Sequence, residues 1–370
     1  APSAINVGVP AQFLDRDSII LADRAILALG EGNGRQPEAY YYDLGGDRVF
    51  GTADDIPIAR LPLSTVSAFE RIDRLASDGQ RLAYRTVDER SGNTALYLLD
   101  AGADGHFGGD ATGRNDDLGP TPIYLGSPRE IESIEVIHDL VSWLAIPAGG
   151  VQGVVHQLWC RPSGVTCPVA GDSAMLPVDL GPSGSVRTFH VPSGGLVWAT
   201  GADVSAVRAG VYQSGFPARV HRLLAAAEGF EAAVVDYHAP ALLHVAQNLV
   251  RLGFPFTPHH DVAVELYRPE AAGETVLASG SIARTTAFNG DLFISFASMT
   301  PADAGGSGSA VRQVHLRAVK PARQTLSEII TINEPGLTGF SRTDRNTLLT
   351  EVHHASTGRR SLTVRTCVFP

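Results

Sequence analysis

Seven short apolar segments recur along the chain at intervals of 45 to 59 residues. Each segment is four to six residues long, which is the length of a β-strand and too short for a typical helix. The segments begin at Ala25, Arg81, Leu140, Leu196, Ala241, Asp291 and Thr347. Seven units of about 54 residues nearly fill the 370-residue chain, and a period of this size is typical of repeat proteins. The spacing therefore predicts one repeated architecture in a single domain that spans residues 1–370.

Other strand candidates flank these segments in most units. Ile131–Ile137 comes before its segment and alternates apolar with polar residues, as a half-buried strand does. The turn Ser77–Gln80 contains Asp-Gly, which supplies the positive φ of tight hairpins. Third-strand candidates follow at 95–99, 154–159, 262–267 and 311–316, and fourth-strand candidates at 56–59, 122–125 and 275–278. Four short strands per unit indicate an all-β, seven-bladed β-propeller of four-stranded blades, with six or eight blades as alternatives.

The two ends of the sequence complement each other. The last unit has a third-strand candidate at Ser361–Thr366 but no fourth, whereas Ala4–Val9 is a spare strand before the first unit. We predict that the N-terminal strand completes the last blade, which would close the ring and leave no open sheet edge. The chain begins Ala1-Pro2-Ser3 without methionine, which is typical of a mature or trimmed sequence.

Composition excludes several classes of protein. The 39 glycines and 23 prolines supply turns, and 44% hydrophobic residues can form a core. The net charge of −10 argues against a nucleic-acid partner, because such partners select a basic surface. No run of about 18 apolar residues occurs, so no membrane span is predicted.

One unit resembles a known repeat. Leu75–Tyr84, with Leu96–Asp100 after it, is similar to the TolB-type β-propeller repeat, which has a Leu-Ser-Pro-Asp-Gly turn, a Leu-Ala-aromatic strand and a later strand that ends in Asp. Ala76 and Ser77 replace the Ser and Pro of that turn. The resemblance implies the propeller fold, and implies either protein–protein contacts or association with a hydrolase domain.

Two acidic loops carry the strongest chemical signal. Asp43–Asp55 and Asp100–Asp117 both read Asp-x-Gly-x-Asp-x-x-Phe-Gly and end in an aspartate pair. In the first loop, Asp43, Asp47 and Asp54 fall at positions 1, 5 and 12 of an EF-hand-like spacing. These loops predict structural Ca²⁺, and solvated turns are the alternative. The candidate ligands are Asp43, Asp47, Val49 (through its carbonyl), Asp54, Asp55, Asp100, Asp104, His106, Asp110, Asp116 and Asp117.

The cysteines bear on the compartment. Cys160 and Cys167 bracket a turn-rich stretch, which predicts a disulfide in an oxidising compartment, with two reduced thiols as the alternative. Cys367 stands alone and is predicted to be a buried apolar residue. Together with the acidic loops, the disulfide favours an extracellular, cell-surface or periplasmic protein.

Catalytic residues cannot be assigned from motifs. The pairs His259–His260 and His353–His354 suggest Zn²⁺ or Cu²⁺ only weakly, and His138–Asp139 is a weak acid–base candidate. No nucleophile elbow, phosphate loop or zinc-protease helix occurs. The favoured function is therefore a secreted or cell-surface propeller that binds a protein or glycan partner. The alternative is a propeller hydrolase or lyase with a metal-assisted site in its central funnel.

Overall fold

The computed structural model shows a chain made of β-strands. It describes residues 4–8, 18–22, 25–31, 37–47, 51–63, 65, 69–108, 115–128, 130–137, 140–146, 154–159, 186–190, 195–200, 210–215, 219–225, 236–238, 241–246, 249–254, 262–267, 275–276, 283–288, 291–300, 310–320, 325–340, 347–367 and 369. Within these residues all regular structure is β, in 29 strands and seven sheets, here numbered 1 to 7 along the chain. No helix in this part of the chain is long and apolar enough to cross a membrane.

The chain divides into two compact units, and strand β1 (Ala4–Gly8) belongs to the second of them. The first unit, Asp15–Pro182, contains sheets 1 to 3. Sheet 1 has the order β2 (Ser18–Ala22), β3 (Ala25–Glu31), β4 (Pro37–Asp43) and β5 (Ile56–Pro62). Sheet 2 has the order β6 (Glu70–Ser77), β7 (Arg81–Asp88), β8 (Asn93–Asp100) and β9 (Leu118–Pro128). Sheet 3 has the order β10 (Ile131–Ile137), β11 (Leu140–Ala145) and β12 (Val154–Trp159).

The second unit, Ala1–Leu14 with Ser183–Pro370, contains sheets 4 to 7. Sheet 4 has β13 (Val186–His190), β14 (Gly195–Thr200), β15 (Gly210–Gly215) and β16 (Arg219–Ala225). Sheet 5 has β17 (Asp236–His238), β18 (Ala241–Ala246), β19 (Leu249–Phe254) and β20 (Val262–Tyr267). Sheet 6 has β21 (Thr275–Val276), β22 (Ala283–Phe288), β23 (Asp291–Thr300), β24 (Ala310–Lys320), β25 (Thr325–Leu326) and β26 (Ile330–Ile332). Sheet 7 has β27 (Leu337–Phe340), β28 (Thr347–His354) and β29 (Arg359–Cys367), followed by β1.

The seven apolar segments of the sequence all lie in interior strands. They fall in β3, β7, β11, β14, β18, β23 and β28, each of which pairs with a neighbour on both sides. Strands that are buried on both faces contain nearly continuous apolar residues, which is the pattern of these segments. All consecutive pairings inside the sheets are antiparallel, which confirms the all-β prediction.

Strand β1 is the outer strand of sheet 7. It pairs with β29 in an antiparallel register that runs from Ala4 opposite Cys367 to Gly8 opposite Thr363. The predicted pairing of the N-terminal strand with the last sheet is therefore present. It joins residues from the two ends of the chain in one sheet.

Two strand assignments made from the sequence are wrong. Residues 262–267 are predicted as a third strand, but they form the fourth strand of sheet 5, because Leu249–Phe254 takes the third place. Residues 275–278 are predicted as the fourth strand of that unit, but Thr275–Val276 pairs with β23 of the next sheet. The third strand was missed because only Gln247 and Asn248 separate it from β18, and they lack the Asn-Gly or Asp-Gly signal of a tight hairpin.

The core of the first unit lies on both faces of sheet 2. Leu82 and Tyr84 pack on the face towards sheet 1, where the ring of Tyr84 stacks on that of Tyr97 with centroids 5.1 Å apart. Ala83 and Leu96 lie on the opposite face, with residues of sheet 3. Each large apolar side chain buried in this way stabilises the fold by about 1.5–3 kcal/mol. Sheet 2 is thus packed on both faces.

Candidate functional site

The two acidic loops occupy equivalent places in neighbouring sheets. Loop 1, Asp43–Asp55, joins the third and fourth strands of sheet 1, and loop 2, Asp100–Asp117, joins the third and fourth strands of sheet 2. This is the connection that the sequence predicts for both. Of the predicted ligands, Val49 and Asp110 lie outside the described residues.

The aspartate that begins each loop holds the first turn. Asp43 Oδ1 accepts a hydrogen bond from the backbone N–H of Gly45 at 2.8 Å. Asp100 Oδ1 accepts one from the N–H of Gly102 at 2.9 Å. An aspartate that bonds the backbone two residues later forms an Asx turn. Both loops therefore begin with the same local device.

The first member of each closing aspartate pair reaches back to the same turn. Asp54 Oδ2 accepts a hydrogen bond from the N–H of Gly46 at 2.7 Å. Asp116 Oδ2 accepts one from the N–H of Ala103 at 2.8 Å. Gly46 and Ala103 are each three residues after the opening aspartate. The carboxylate therefore ties the end of each loop to its beginning.

The second member of each pair holds the glycine of the Phe-Gly step. Asp55 Oδ2 accepts a hydrogen bond from the N–H of Gly51 at 2.6 Å. Asp117 Oδ2 accepts one from the N–H of Gly108 at 2.9 Å. These two bonds complete one hydrogen-bonding scheme that both loops share, even though loop 2 carries an insertion before its pair. The repeated motif is thus a structural repeat, in which charged acceptors bond main-chain donors.

The first glycine of each loop cannot carry a side chain. Gly45 has φ +67° and Gly102 has φ +74°, a region that favours glycine. A Cβ on Gly45 would lie 2.4 Å from Asp54 Oδ2, and one on Gly102 would lie 2.5 Å from the Asp116 carbonyl oxygen. The closing aspartate occupies the space that a side chain would need, so the Gly of the motif is required by contact as well as by φ.

Loop 2 is anchored on sheet 1 by the phenylalanine of its motif. Phe107 is buried and meets Tyr41 edge-on, with ring centroids 5.2 Å apart. Gly108 follows so closely that an added Cβ would lie 2.3 Å from Cβ of Ala59. The phenylalanine of the motif therefore fixes loop 2 against the neighbouring sheet. Phe50, its counterpart in loop 1, lies outside the described residues.

The two opening aspartates are buried and have different partners. Asp100 Oδ2 accepts a hydrogen bond from Arg81 Nε at 2.8 Å, in an ion pair whose side chains are both almost fully buried. Asp43 instead accepts a hydrogen bond from the Tyr41 hydroxyl at 3.1 Å, and its Oδ2 lies 3.3 Å from Nδ1 of His106. Loop 2 thereby contacts loop 1 through His106. Both carboxylates are engaged by the protein itself.

Three carboxylates of loop 1 remain together near the surface. Asp47, Asp54 and Asp55 place carboxylate oxygens within 4.8 Å of one another, and this is the one group of three or more potential metal ligands within the described residues. The hydroxyl of Thr52 lies among them, 2.7 Å from Asp54 Oδ1 and 3.3 Å from oxygens of Asp47 and Asp55. A hydroxyl has one proton to donate, so it cannot satisfy three carboxylates at once. The arrangement concentrates negative charge around one point.

Ionisation differs between the loops. Donation from the Thr52 hydroxyl and from the N–H of Asp47 lowers the pKa of Asp54, so this carboxylate stays charged below its usual range. In loop 2, burial raises the pKa of Asp117, and the charges of Asp104 and Asp116 add to the effect. Asp116 Oδ1 and Asp117 Oδ1 are also buried without a hydrogen-bond partner in the part of the chain described. A buried carboxylate oxygen without a partner is costly unless a donor or a cation offsets its lost hydration.

The structure describes some of the remaining candidates from the sequence and not others. His353 and His354 end strand β28, and adjacent strand residues lie on opposite faces, so the two imidazoles do not converge on one ion. Cys367 is buried, as predicted, and is not in a disulfide, and burial raises the pKa of its thiol to about 11. The other candidates lie outside the described residues: His138, Asp139, Cys160, Cys167, His259 and His260.

Sequence reasoning missed two contributors to the site. Thr52 comes three residues before Asp55, a spacing that carries no distinctive signal. Arg81 lies 19 residues from Asp100 and meets it because the two pair across β7 and β8. Knowledge of the strand register would have found Arg81, since the register places the start of β7 against the end of β8.

Comparison with solved structures decides the fold. The chain is similar to the β-propeller domain of the Trilobed protease from Pyrococcus furiosus, with a TM-score of 0.55 at 10% identity over 96% of this chain and 97% of that one. This is a β-propeller fold. The Pyrococcus domain is described as having an open velcro topology.

Larger proteins contain a similar propeller. A prolyl endopeptidase matches with a TM-score of 0.53 at 11% identity, over 97% of this chain and 50% of that one. The WD40 repeats of RRP9 match with a TM-score of 0.49 at 11% identity, over 98% of this chain and all of that one. This propeller spans about half of the endopeptidase. No family model matches the sequence, and no curated protein does, so the TolB-type resemblance stays a prediction.

Proposed function

We propose that this propeller is a calcium-binding interaction module, secreted or held at the cell surface, that binds a protein or glycan partner. The observation that carries the proposal is the group formed by Asp47, Asp54 and Asp55 around the Thr52 hydroxyl. Ca²⁺ prefers six to eight oxygen ligands in a flexible loop. Three carboxylates and a hydroxyl provide oxygens of this kind.

The cation would neutralise a loop that is already folded. Main-chain N–H groups hold one oxygen of Asp54 and one of Asp55, which leaves their other oxygens facing the Thr52 hydroxyl. Because the carboxylates are positioned before any cation arrives, little ordering entropy opposes binding. The role of such an ion would be structural. The orphaned oxygens of Asp116 and Asp117 make loop 2 a second candidate.

Calorimetric titration with Ca²⁺ tests the proposal. We expect saturable binding and a rise in the melting temperature, because a ligand of the native state stabilises it. Asp54→Asn, which keeps an acceptor oxygen but removes the charge, should weaken binding at least tenfold. Glu89→Gln changes the same charge at an exposed position outside the loops and should leave binding unchanged. Absence of binding heat, together with an unchanged melting temperature in EDTA, would refute the calcium site.

We also propose the number of blades, the closure of the ring and the disulfide. The seven sheets would be seven blades of one ring, in a single domain of residues 1–370 that β1 closes through β29. The β1–β29 register supports this closure. A disulfide between Cys160 and Cys167 would fit an extracellular or periplasmic compartment. Mass spectrometry of the unreduced protein tests the disulfide, and two free thiols would contradict it.

The alternative function is a hydrolase or lyase with a metal-assisted site in the central funnel. Peptidases are among the proteins of similar fold, and this chain spans about half of the prolyl endopeptidase. The candidate metal group, however, lies on a connection between third and fourth strands. This position argues against its serving as the metal-assisted site of the funnel. Assays with peptide and ester substrates, with and without added Ca²⁺ or Zn²⁺, separate the two functions. Turnover that Asp54→Asn leaves unchanged would favour the enzyme.

A further inference from the structure

Two Asp-Gly steps lie in neighbouring connections at one end of sheet 2. Asp78–Gly79 is in the turn between β6 and β7, and Asp104–Gly105 is in loop 2, between β8 and β9. The N–H of Ala101 donates to the carbonyl of Gln80 at 2.8 Å, which joins the two connections. A main-chain nitrogen can attack the preceding aspartate side chain most easily at glycine, because glycine has no side chain to hinder the approach. The same chemistry can therefore be compared at two places in one chain.

In the β6–β7 turn the nitrogen that follows the aspartate is engaged. The N–H of Gly79 donates to Oγ of Ser77 at 3.0 Å, and Gly79 is buried. Oδ1 of Asp78 accepts hydrogen bonds from the N–H groups of Gln80 and Arg81, at 2.9 Å and 2.8 Å. Attack of the nitrogen on the carboxyl group breaks bonds on both reacting groups, and each broken bond raises the barrier. This turn is therefore protected.

In loop 2 the corresponding nitrogen is not engaged. Within the described residues the N–H of Gly105 makes no hydrogen bond, and Gly105 is half-buried. A Cβ on Gly105 would meet nothing within 4 Å, so the space around this step is open. The carboxylate of Asp104 accepts a hydrogen bond at Oδ1 from the N–H of His106, at 2.8 Å. Fewer bonds therefore oppose the reaction here than in the β6–β7 turn.

Loop 2 is fixed on both sides of this step. The bond from the N–H of Ala103 to Asp116 holds the chain before it, and the buried ring of Phe107 holds the chain after it. Only three residues separate these two fixed points. One of the three is His106, whose Nδ1 lies 3.3 Å from Oδ2 of Asp43. An additional main-chain atom in so short a segment displaces at least one of these contacts.

We propose that Asp104 isomerises spontaneously to isoaspartate in the folded protein and that the product loosens loop 2 from sheet 1. The nitrogen of Gly105 forms a bond to Cγ of Asp104, and one carboxylate oxygen leaves as water with the amide proton and a proton from solvent. Water then adds to the main-chain carbonyl carbon of Asp104 in the succinimide, and the bond from that carbon to the nitrogen breaks.

The product has a longer main chain. The chain now runs through Cβ and Cγ of Asp104, and the former main-chain carbonyl becomes a free carboxylate with release of a proton. One water is released and one is taken up, so the net change is an isomerisation that needs no further reactant. The reaction also needs no bound cation, and the inference is therefore independent of the proposed calcium function.

Peptide mapping of aged protein tests the inference. The full chain is kept in EDTA at neutral pH for several weeks and digested, and isoaspartate is located by electron-transfer fragmentation and by methylation with protein isoaspartyl methyltransferase. In the native protein we expect at least five times more isoaspartate at Asp104 than at Asp78. In urea, where neither connection is folded, the two amounts should agree within twofold. Equal amounts in the native protein, or the same fivefold difference in urea, would overturn the inference.

Removal of the hydrogen-bond acceptor in the β6–β7 turn tests the cause. Ser77→Ala leaves the N–H of Gly79 without its acceptor, and we expect isoaspartate at Asp78 to rise at least threefold. Ser91→Ala is the matched control, because its hydroxyl accepts the N–H of Asn93 at 3.2 Å in the hairpin at the other end of sheet 2. This control should change neither Asp-Gly step. An unchanged amount at Asp78 in Ser77→Ala would contradict the protection that we assign to this bond.

The consequence for loop 2 is measured on the aged protein. Protein enriched in isoaspartate should melt at a lower temperature than fresh protein, and the amide hydrogens of Phe107 and Gly108 should exchange faster. Repair by the same methyltransferase with its methyl donor should reverse both changes. Unchanged melting and exchange in the isomerised protein would show that loop 2 does not loosen. Calcium titration of fresh protein, before isoaspartate has formed, reports separately on the proposed function.

Discussion

His315 shows how burial fixes one residue's ionisation. The imidazole is almost fully buried in sheet 6 and stacks on Phe296, with centroids 5.1 Å apart. Its Nδ1 lies 3.1 Å from the Thr331 hydroxyl and its Nε2 lies 3.2 Å from the Ser298 hydroxyl. Burial lowers the pKa of His315 to about 4. The neutral ring is therefore part of the native core.

From the lowered pKa of His315 we predict that the protein loses stability in mild acid. Between pH 6.5 and 4 the unfolded chain binds a proton at His315 that the native protein does not, so the free energy of unfolding falls as the pH falls. The loss is on the order of 2 kcal/mol at pH 5. His315→Gln keeps a hydrogen-bonding amide and should flatten the dependence of melting temperature on pH over this range. His354→Gln, at an exposed position, is the control, and equal slopes in the wild type and His315→Gln would contradict the prediction.

At the scale of the element, the acidic loops depend on a few backbone positions. In loop 2, Gly102 and Gly105 have nearly the same φ, +74° and +72°. They differ in space, because a Cβ at Gly102 would overlap Asp116 and one at Gly105 would meet nothing within 4 Å. Substitutions at these two glycines therefore distinguish the free-energy cost of a side chain at positive φ from the cost of a steric overlap with Asp116.

We predict that Gly105→Ala lowers the free energy of unfolding by about 1 kcal/mol, the cost of a side chain at positive φ. Gly102→Ala should cost at least about 2 kcal/mol more, because the added methyl group displaces the closing aspartate. Urea denaturation of the two variants measures the difference. Equal destabilisation by both substitutions would show that Asp116 does not close the loop as the structure has it.

Most strands follow from the sequence, and the failures have a local cause. The interior strands are predictable because burial on both faces demands continuous apolar residues. The sequence assignment fails in sheet 5 because the β18–β19 hairpin lacks an Asn-Gly or Asp-Gly turn, and because β21 consists of only two residues. Short edge pairings of this kind carry almost no sequence signal.

The site was predictable as a motif but not as a set of contacts. The repeated spacing identifies both loops and predicts Asp43 and Asp100 as cation ligands, but it contains no information on their contacts with Tyr41 and Arg81. Contacts across a sheet depend on register, which residue spacing within a loop does not contain. The same limit hid Thr52, whose hydroxyl becomes central only when the loop folds.

At the scale of the whole molecule, the five residues of β1 pair with β29, a strand that is distant in the sequence. We predict that removal of residues 1–8 lowers the melting temperature by several degrees, because five cross-strand pairs with β29 are lost, at roughly 0.2–1 kcal/mol each. Removal of residues 1–3 alone is the control. A synthetic peptide of residues 1–10 should restore part of the loss. Identical melting of the two truncations would argue against a stabilising role for β1.

The pairing of β1 with β29 also has a consequence for synthesis of the protein. The first strand leaves the ribosome long before its partner, because more than 350 residues separate Ala4 from Cys367. Until β29 is made, β1 has no partner, and its unpaired backbone is available to other nascent chains. Sheet 7 is completed only when β29 emerges, so its assembly is a slow, non-local step of folding. Chaperone demand during expression should therefore persist at least until β29 has emerged.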